Sequence, residues 1–322
     1  MTSIRRLLLP ALCLALVAFK AEAETWPTRP LRAIVPIAAG SSVDLVARVV
    51  SEQLSAQLGQ TIIVENRPGA GQTIGAALAA KAEPDGYTFL VNSSAHTIAP
   101  ALYPGLGYHP ARDFIAVAPL GVTPFALVVP PDRGFKTVAD LISAAKAKPG
   151  TFNFSSPGVG SGSHLSAERF RLAGGVAATH VPFKGGVEAM TEVIAGRIDF
   201  FFVVLGPALP HIRDGKLAAL AVNSAQRSAA LPNVATIAEG GYKDAENPTW
   251  FGLFLPSRTP REIADRLQRE TFKALQDSKV RDKLAALGID PMMMSAQEFS
   301  AYVEKQVDAD AALIKAIGLR AP

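Results

Sequence analysis

Two stretches of small residues carry the strongest hint of ligand chemistry in this sequence. Each stands between an apolar run and an amphipathic pattern. The first is Ala38-Ala39-Gly40-Ser41-Ser42, directly after Ile37. The second is Ser156-Pro157-Gly158-Val159-Gly160-Ser161-Gly162-Ser163, which leads into His164. A small-residue loop at a helix start exposes backbone N–H groups that have no helical acceptor. Together with the helix dipole, those amides favour an anion. Glycine lets a ligand approach the backbone, and serine hydroxyls add donors. Alone, either loop is an ordinary strand-to-helix connection. As a pair they suggest an anion clamp, because open α/β sheets bind ligands beyond the carboxyl ends of their strands.

Other anion and catalytic motifs fail on spacing. No Gly-Lys-Ser/Thr triplet is present for a phosphate loop. The position where a dinucleotide fingerprint needs its third glycine is Ser163. Ser161 has glycines directly beside it, which is the wrong spacing for a nucleophile elbow. A secreted serine hydrolase built on Ser161 and His164 therefore lacks an elbow and a third member. The five histidines, His96, His109, His164, His180 and His211, never pair at i, i+3 or i+4, so no helical metal site is expected. Nothing calls for a cofactor. His164 could donate to a bound carboxylate or cap its own helix. Ser94, Ala95 and His96 form a second polar loop after a strand. Phe183 and Lys184 place an aromatic ring and a cation at another strand end. Asp44, in the first helical turn after the first loop, suits the helix dipole, and His211 reads as structural.

These loops need strands and helices to hold them, and the pattern supplies both. Apolar runs at 31–37, 61–64, 87–91, 125–129, 152–155, 178–181, 200–204, 217–222 and 250–255 predict buried strands. Residues 43–58 predict a helix, with Val46, Val50, Leu54 and Leu58 one turn apart. Further helices are expected at 75–82, 137–146, 164–172, 186–195 and 295–319. Capping boxes are expected at Thr137/Asp140, Thr259/Glu262 and Ser295/Glu298. Strand–helix alternation predicts an α/β fold of two lobes, each a mostly parallel sheet flanked by helices. The expected lobes are 24–121 plus 249–322, and 122–248.

The N-terminus predicts the compartment. Arg5 and Arg6, an apolar run at 7–19 and Ala21-Glu22-Ala23 describe a secretory signal peptide of residues 1–23. Its apolar run is short for a membrane span, which takes about 20 apolar residues. The expected location is the periplasm, with no membrane insertion after cleavage. Cys13 is the only cysteine, so the mature chain has neither disulfides nor thiol chemistry. The mature chain keeps 29 basic and 27 acidic residues, a net charge of +2. With no basic run, this leaves no footprint for nucleic acid. A monomer is expected.

Taken in order, several segments resemble the receptors of tripartite tricarboxylate transporters, the Bug family of periplasmic binding proteins. They are Trp26-Pro27-Thr28-Arg29-Pro30, Val35-Pro36-Ile37-Ala38-Ala39-Gly40, Glu65-Asn66-Arg67-Pro68-Gly69-Ala70-Gly71, Pro84-Asp85-Gly86-Tyr87-Thr88, Val181-Pro182-Phe183-Lys184-Gly185-Gly186, Ala208-Leu209-Pro210-His211-Ile212 and Gly215-Lys216-Leu217. The likeness spans essentially the whole mature chain. It implies a Venus-flytrap fold that closes on a small organic carboxylate and delivers it to permease subunits in the membrane, without catalysis. It also implies that residues 37–42 and 158–164 hold the carboxylate, with residues 93–96 and Phe183–Lys184 lining the rest. The same fold could instead report a ligand to a sensor kinase. Many relatives carry an acid where Val203 stands here, and a second glycine where Ser41 stands. The first difference implies a ligand without an amine: a di- or tricarboxylate or an aromatic acid, with Phe183 and Phe200 to Phe202 leaving the aromatic option open.

Overall fold

Among the described residues, ten strands form two five-stranded sheets of matching topology. The computed structural model describes residues 26–103, 105–183 and 185–319. The expected signal segment, Cys13 and Lys184 therefore lie outside the described residues. In chain order the strands are β1 (Leu31–Val35), β2 (Ile62–Asn66), β3 (Thr88–Ser93), β4 (Phe114–Thr123), β5 (Phe125–Val129), β6 (Phe152–Ser156), β7 (Ala178–Pro182), β8 (Phe200–Val204), β9 (Ala218–Val222) and β10 (Thr249–Pro256). The helices are α1 (Ser42–Leu58), α2 (Thr73–Ala80), α3 (Ala95–Leu102), α4 (Val138–Ala147), α5 (Gly162–Gly174), α6 (Gly186–Ile194), α7 (Leu205–Arg213), α8 (Arg261–Gln276), α9 (Ser278–Ala286) and α10 (Ala296–Ala316).

The first sheet runs β2-β1-β3-β10-β4 and the second β7-β6-β8-β5-β9. In each, four strands run in the same direction and one, β10 or β5, is antiparallel to both its neighbours. The sheets are thus mixed, more so than strand–helix alternation alone suggests. The antiparallel strands are those that enter from the other half of the molecule. Pro124 alone separates β4 from β5. Beside it the Thr123 hydroxyl donates to the Gly288 carbonyl at 2.9 Å, and the Phe125 amide donates to Asn223 Oδ1 at 2.7 Å.

The strands are apolar on both faces because each sheet is covered on both sides. In β8, Phe200 and Phe202 enter one core cluster while Phe201 and Val203 enter another. Val46, Val50, Leu54 and Leu58 of α1 pack on the first sheet, as their spacing predicts. The α10 helix belongs to the first half yet reaches the second. Leu313 and Ile314 pack with Ile98 and Leu165. Asp310 pairs with Arg169 of α5 at 2.8 Å and accepts from the Thr97 hydroxyl at 2.8 Å.

Two of the expected capping boxes form, at Thr137/Asp140 and Ser295/Glu298. The third does not. Pro260 is the N-cap of α8, and the Thr259 hydroxyl is buried without a partner. The ten-residue β4 escapes periodicity because it is an edge strand interrupted by Pro119 and two register shifts. Residues 95–102, expected to start as a polar loop, form α3.

Candidate functional site

The loops after β1 and β6 have the same local geometry. Ser41 and Ser161 are the N-caps of α1 and α5, each accepting from the backbone N–H three residues on, at 3.3 and 3.2 Å. Before each cap stands a glycine in the left-handed region, Gly40 at φ 81° and Gly160 at φ 78°. The cap amides donate back to Ala38 and Gly158 at 3.4 and 3.3 Å. In each loop the glycine amide turns inward to a side chain four residues later. Gly40 donates to Asp44 Oδ2 at 2.8 Å, and Gly160 to His164 Nδ1 at 3.0 Å.

The first two helical amides of each helix remain. Those of Ser42 and Val43, and of Gly162 and Ser163, make no hydrogen bond. This is the unpaired-donor set expected at a helix start. All four residues line one cavity of about 620 Å³ between the two sheets, a size usual for small-molecule sites. Around them stand Gln72, Ser94 and Tyr103 from one half and Phe125, Pro157 and Val204 from the other. No Asp, Glu, Lys, Arg or His is among the described residues that line the cavity. An anion held there would meet neutral dipoles only.

The two braces differ in charge. Burial alone would raise the Asp44 pKa, but bonds from Arg48, the Gly40 amide and Asn66 outweigh it and hold the carboxyl below its ordinary value. Arg48 Nε lies 2.9 Å from Asp44 Oδ2, and Asn66 Nδ2 2.9 Å from Oδ1. Burial and the nearby Arg171 instead push the His164 pKa down to about 4, so its ring is neutral at pH 7. Accepting at Nδ1 places its proton on Nε2. Its ring stacks on His180 at 3.9 Å between centroids. Burial, with His164 next to it, lowers the His180 pKa to about 4 as well.

Thirteen of the residues singled out in the sequence line the cavity: Ile37, Ser41, Ser42, Ser93, Ser94, Ala95, Pro157, Gly158, Val159, Gly160, Ser161, Gly162 and Ser163. Ala38, Ala39 and Gly40 are exposed and are not among the residues that line the cavity. His164 stands behind its loop rather than in the cavity. His96 is 1% exposed, sits among Tyr108, Phe114 and Phe254, and bonds the Pro110 carbonyl at 3.1 Å. It faces the core because α3 begins one residue before it. Val203 is buried in the core cluster beneath α6 and α7, and Phe183 packs against the same cluster. The phenylalanines of β8 are core as well, so the aromatic rings at the cavity are Tyr103, Phe125 and Phe251. Sequence reasoning missed these three, together with Gln72 and Thr249. Phe125 and Thr249 start strands, Phe251 lies within one, and Gln72 and Tyr103 sit at a turn and a helix end, where no local pattern marks them.

The serine hydroxyls contribute fewer free donors than composition suggests. Ser161 Oγ donates to the Gly158 carbonyl at 2.7 Å and Ser163 Oγ to the Phe202 carbonyl at 2.6 Å. Since His164 Nδ1 accepts from Gly160, no imidazole activates Ser161 as a nucleophile. Among the described residues no group of three His, Cys, Asp or Glu could hold a metal. Nor is any described helix long and apolar enough to cross a membrane.

Comparison with known proteins places this geometry among relatives. Residues 46–319 match the family model described as the tripartite tricarboxylate transporter family receptor, TctC. Over 306 residues the chain is 34% identical to the protein BugT of Bordetella pertussis, covering 94% of each chain. It is similar to the Rhodopseudomonas palustris protein Rpa4515, solved with adipate, at 32% identity and TM-score 0.75, covering 91% of this chain and 98% of that one. It is also similar to MatC of the same organism, solved with bound malate, at 31% identity and TM-score 0.72, covering 89% and 99%.

Proposed function

This chain belongs to the tripartite tricarboxylate transporter receptor family, and from that premise we propose that it is a periplasmic receptor that closes on a small carboxylate and presents it to the permease of such a transporter. One observation carries the reading: the four residues whose amides are unpartnered, Ser42 and Val43 on one side and Gly162 and Ser163 on the other, line a single cavity. Each pair stands at the positive end of a helix dipole, where a carboxylate is stabilised. The relatives solved with adipate and malate hold acids of this class.

The expected boundary after residue 121 falls inside β4, so the proposed lobes are residues 24–123 with 249–322, and 125–248, hinged at Pro124 and near Thr249. A ligand bonded to both loops contacts the closed arrangement more fully, so it shifts the population toward closure. The uncharged lining supports a ligand without an ammonium group, since no carboxylate in the cavity could pair with one. Titration calorimetry with acetate, succinate, adipate, benzoate, citrate and aspartate tests this. Binding of one or more of the acids that lack an amine, with aspartate much weaker, is expected. Heat from aspartate alone would contradict it.

A further inference from the structure

We infer that His164 is a positioning residue for anion binding: its neutral imidazole holds the Gly160 amide and so aims the Gly162 and Ser163 amides at the cavity without placing a negative charge beside them. The inference rests on the carboxylate reading above and deepens it.

The geometry is specific to that ring. Gly160 N–H donates to His164 Nδ1 at 3.0 Å, while the His164 amide donates to Ser161 Oγ at 3.2 Å. His164 is thus tied to the loop it braces twice, once through its ring and once through its backbone amide. His164 is 5% exposed, and its ring stacks on His180 at 3.9 Å and beyond it on Phe154 at 6.2 Å. The His180 ring in turn bonds Ser156 Oγ at 2.7 Å, and that oxygen accepts from the Gly158 amide at 3.1 Å. Two stacked imidazoles therefore support Gly158 and Gly160, two of the loop's three glycines.

The corresponding position in the first loop shows what the histidine avoids. There Asp44 takes the glycine amide, and Arg48 one turn later balances its charge. One turn after His164 stands Glu168, whose Oε1 is 3.8 Å from Nε2, too far for a hydrogen bond. A carboxylate at position 164 would face Glu168 with no arginine of its own, since Arg171 already pairs with Glu168 at 2.8 Å. The titratable groups facing the ring are His180 from β7 and Glu168 and Arg171 from α5. A protonated ring would have no lone pair for Gly160 and would repel a protonated His180. The device works only while the imidazole is neutral.

Three variants of the full mature chain test it: His164→Ala, His164→Asn and His164→Asp. The first readout is ligand-free exchange of the Gly160 amide by NMR. It should speed up roughly tenfold in His164→Ala, for one lost hydrogen bond, and recover most of its protection in His164→Asn, whose amide oxygen can still accept. The second is calorimetry with the five acids that lack an amine. The best-bound acid should weaken roughly tenfold in His164→Asp, and clearly less in His164→Asn. Wild-type protection of Gly160 in His164→Ala, or equal affinity of the Asp and Asn variants, would overturn the inference. If wild type binds none of the acids, the carboxylate reading fails instead, and amide exchange still decides the brace. Should the alanine variant not fold, the Asn and Asp variants decide between them.

Discussion

The loops after β1 and β6 reach the same backbone shape by opposite electrostatic means. Both present two free amides at a helix start, and both tuck the preceding glycine amide onto a side chain four residues on. The first loop is braced by an ionised carboxylate with its own arginine, the second by a neutral ring. A carboxylate at a helix start already satisfies part of the dipole, so Asp44 leaves the first loop less to offer an incoming anion. The second loop has its full field available. The difference teaches that matching geometry does not imply matching affinity, and that the β6 loop should dominate carboxylate binding.

Acid should separate the two loops most strongly. His96, His164 and His180 each have a folded pKa lowered to about 4, below the ordinary value of about 6.5. Between those values the unfolded chain binds protons that the folded chain refuses. Stability is therefore fully present above about pH 6.5 and declines as pH falls toward 4. Asp44 has a folded pKa below its ordinary one. Its contribution stays whole down to the ordinary carboxylate range and is lost only below it. Denaturant melts from pH 7 to 4 should show the histidine decline, and His164→Asn should flatten part of it. An unchanged slope in that variant would mean that the ring is not the group responding.

Breaking the charged brace is the next largest effect. Asp44→Ala leaves the Gly40 amide, Asn66 and Arg48 without their acceptor and should cost about 2 kcal/mol by chemical denaturation at pH 7. His164→Ala removes one neutral acceptor and a stacked ring, and should cost about 1 kcal/mol. Equal losses would remove the distinction between the braces.

Smaller effects are expected at the loop rims, where Ala39 and Val159 occupy matching positions. Val159 is 49% exposed and lines the cavity, while Ala39 is exposed and does not line it. Neither has a positive φ, so aspartate adds charge there without backbone strain. Val159→Asp should weaken carboxylate binding about tenfold, and Ala39→Asp about twofold. The reverse order would place the stronger anion site in the first loop.

Much of this architecture was legible in the sequence. Unbroken apolar runs such as those of β5 and β8 gave their strands to the residue, and the Gly-Ser loops marked both helix starts. Tertiary effects were not legible. The direction of β5 and β10 follows from the half of the molecule they arrive from, which no local pattern encodes. His96 looked like a loop ligand because Asn92-Ser93-Ser94 is polar, yet α3 begins at Ala95 and turns the ring into an aromatic core. Tyr103, Phe125 and Thr249 reach the cavity only through that fold. The His164 brace was half visible: the spacing of Gly160 to His164 copies that of Gly40 to Asp44, but the bond it makes needed coordinates.

The most direct test follows backbone amides during a titration. Two-dimensional amide NMR with the tightest-binding acid of the calorimetric panel should shift Ser42, Val43, Gly162 and Ser163 together, with Gly162 and Ser163 moving furthest. An acid that binds while those four signals stay in place would contradict the claim that helix-start amides from both halves hold the ligand.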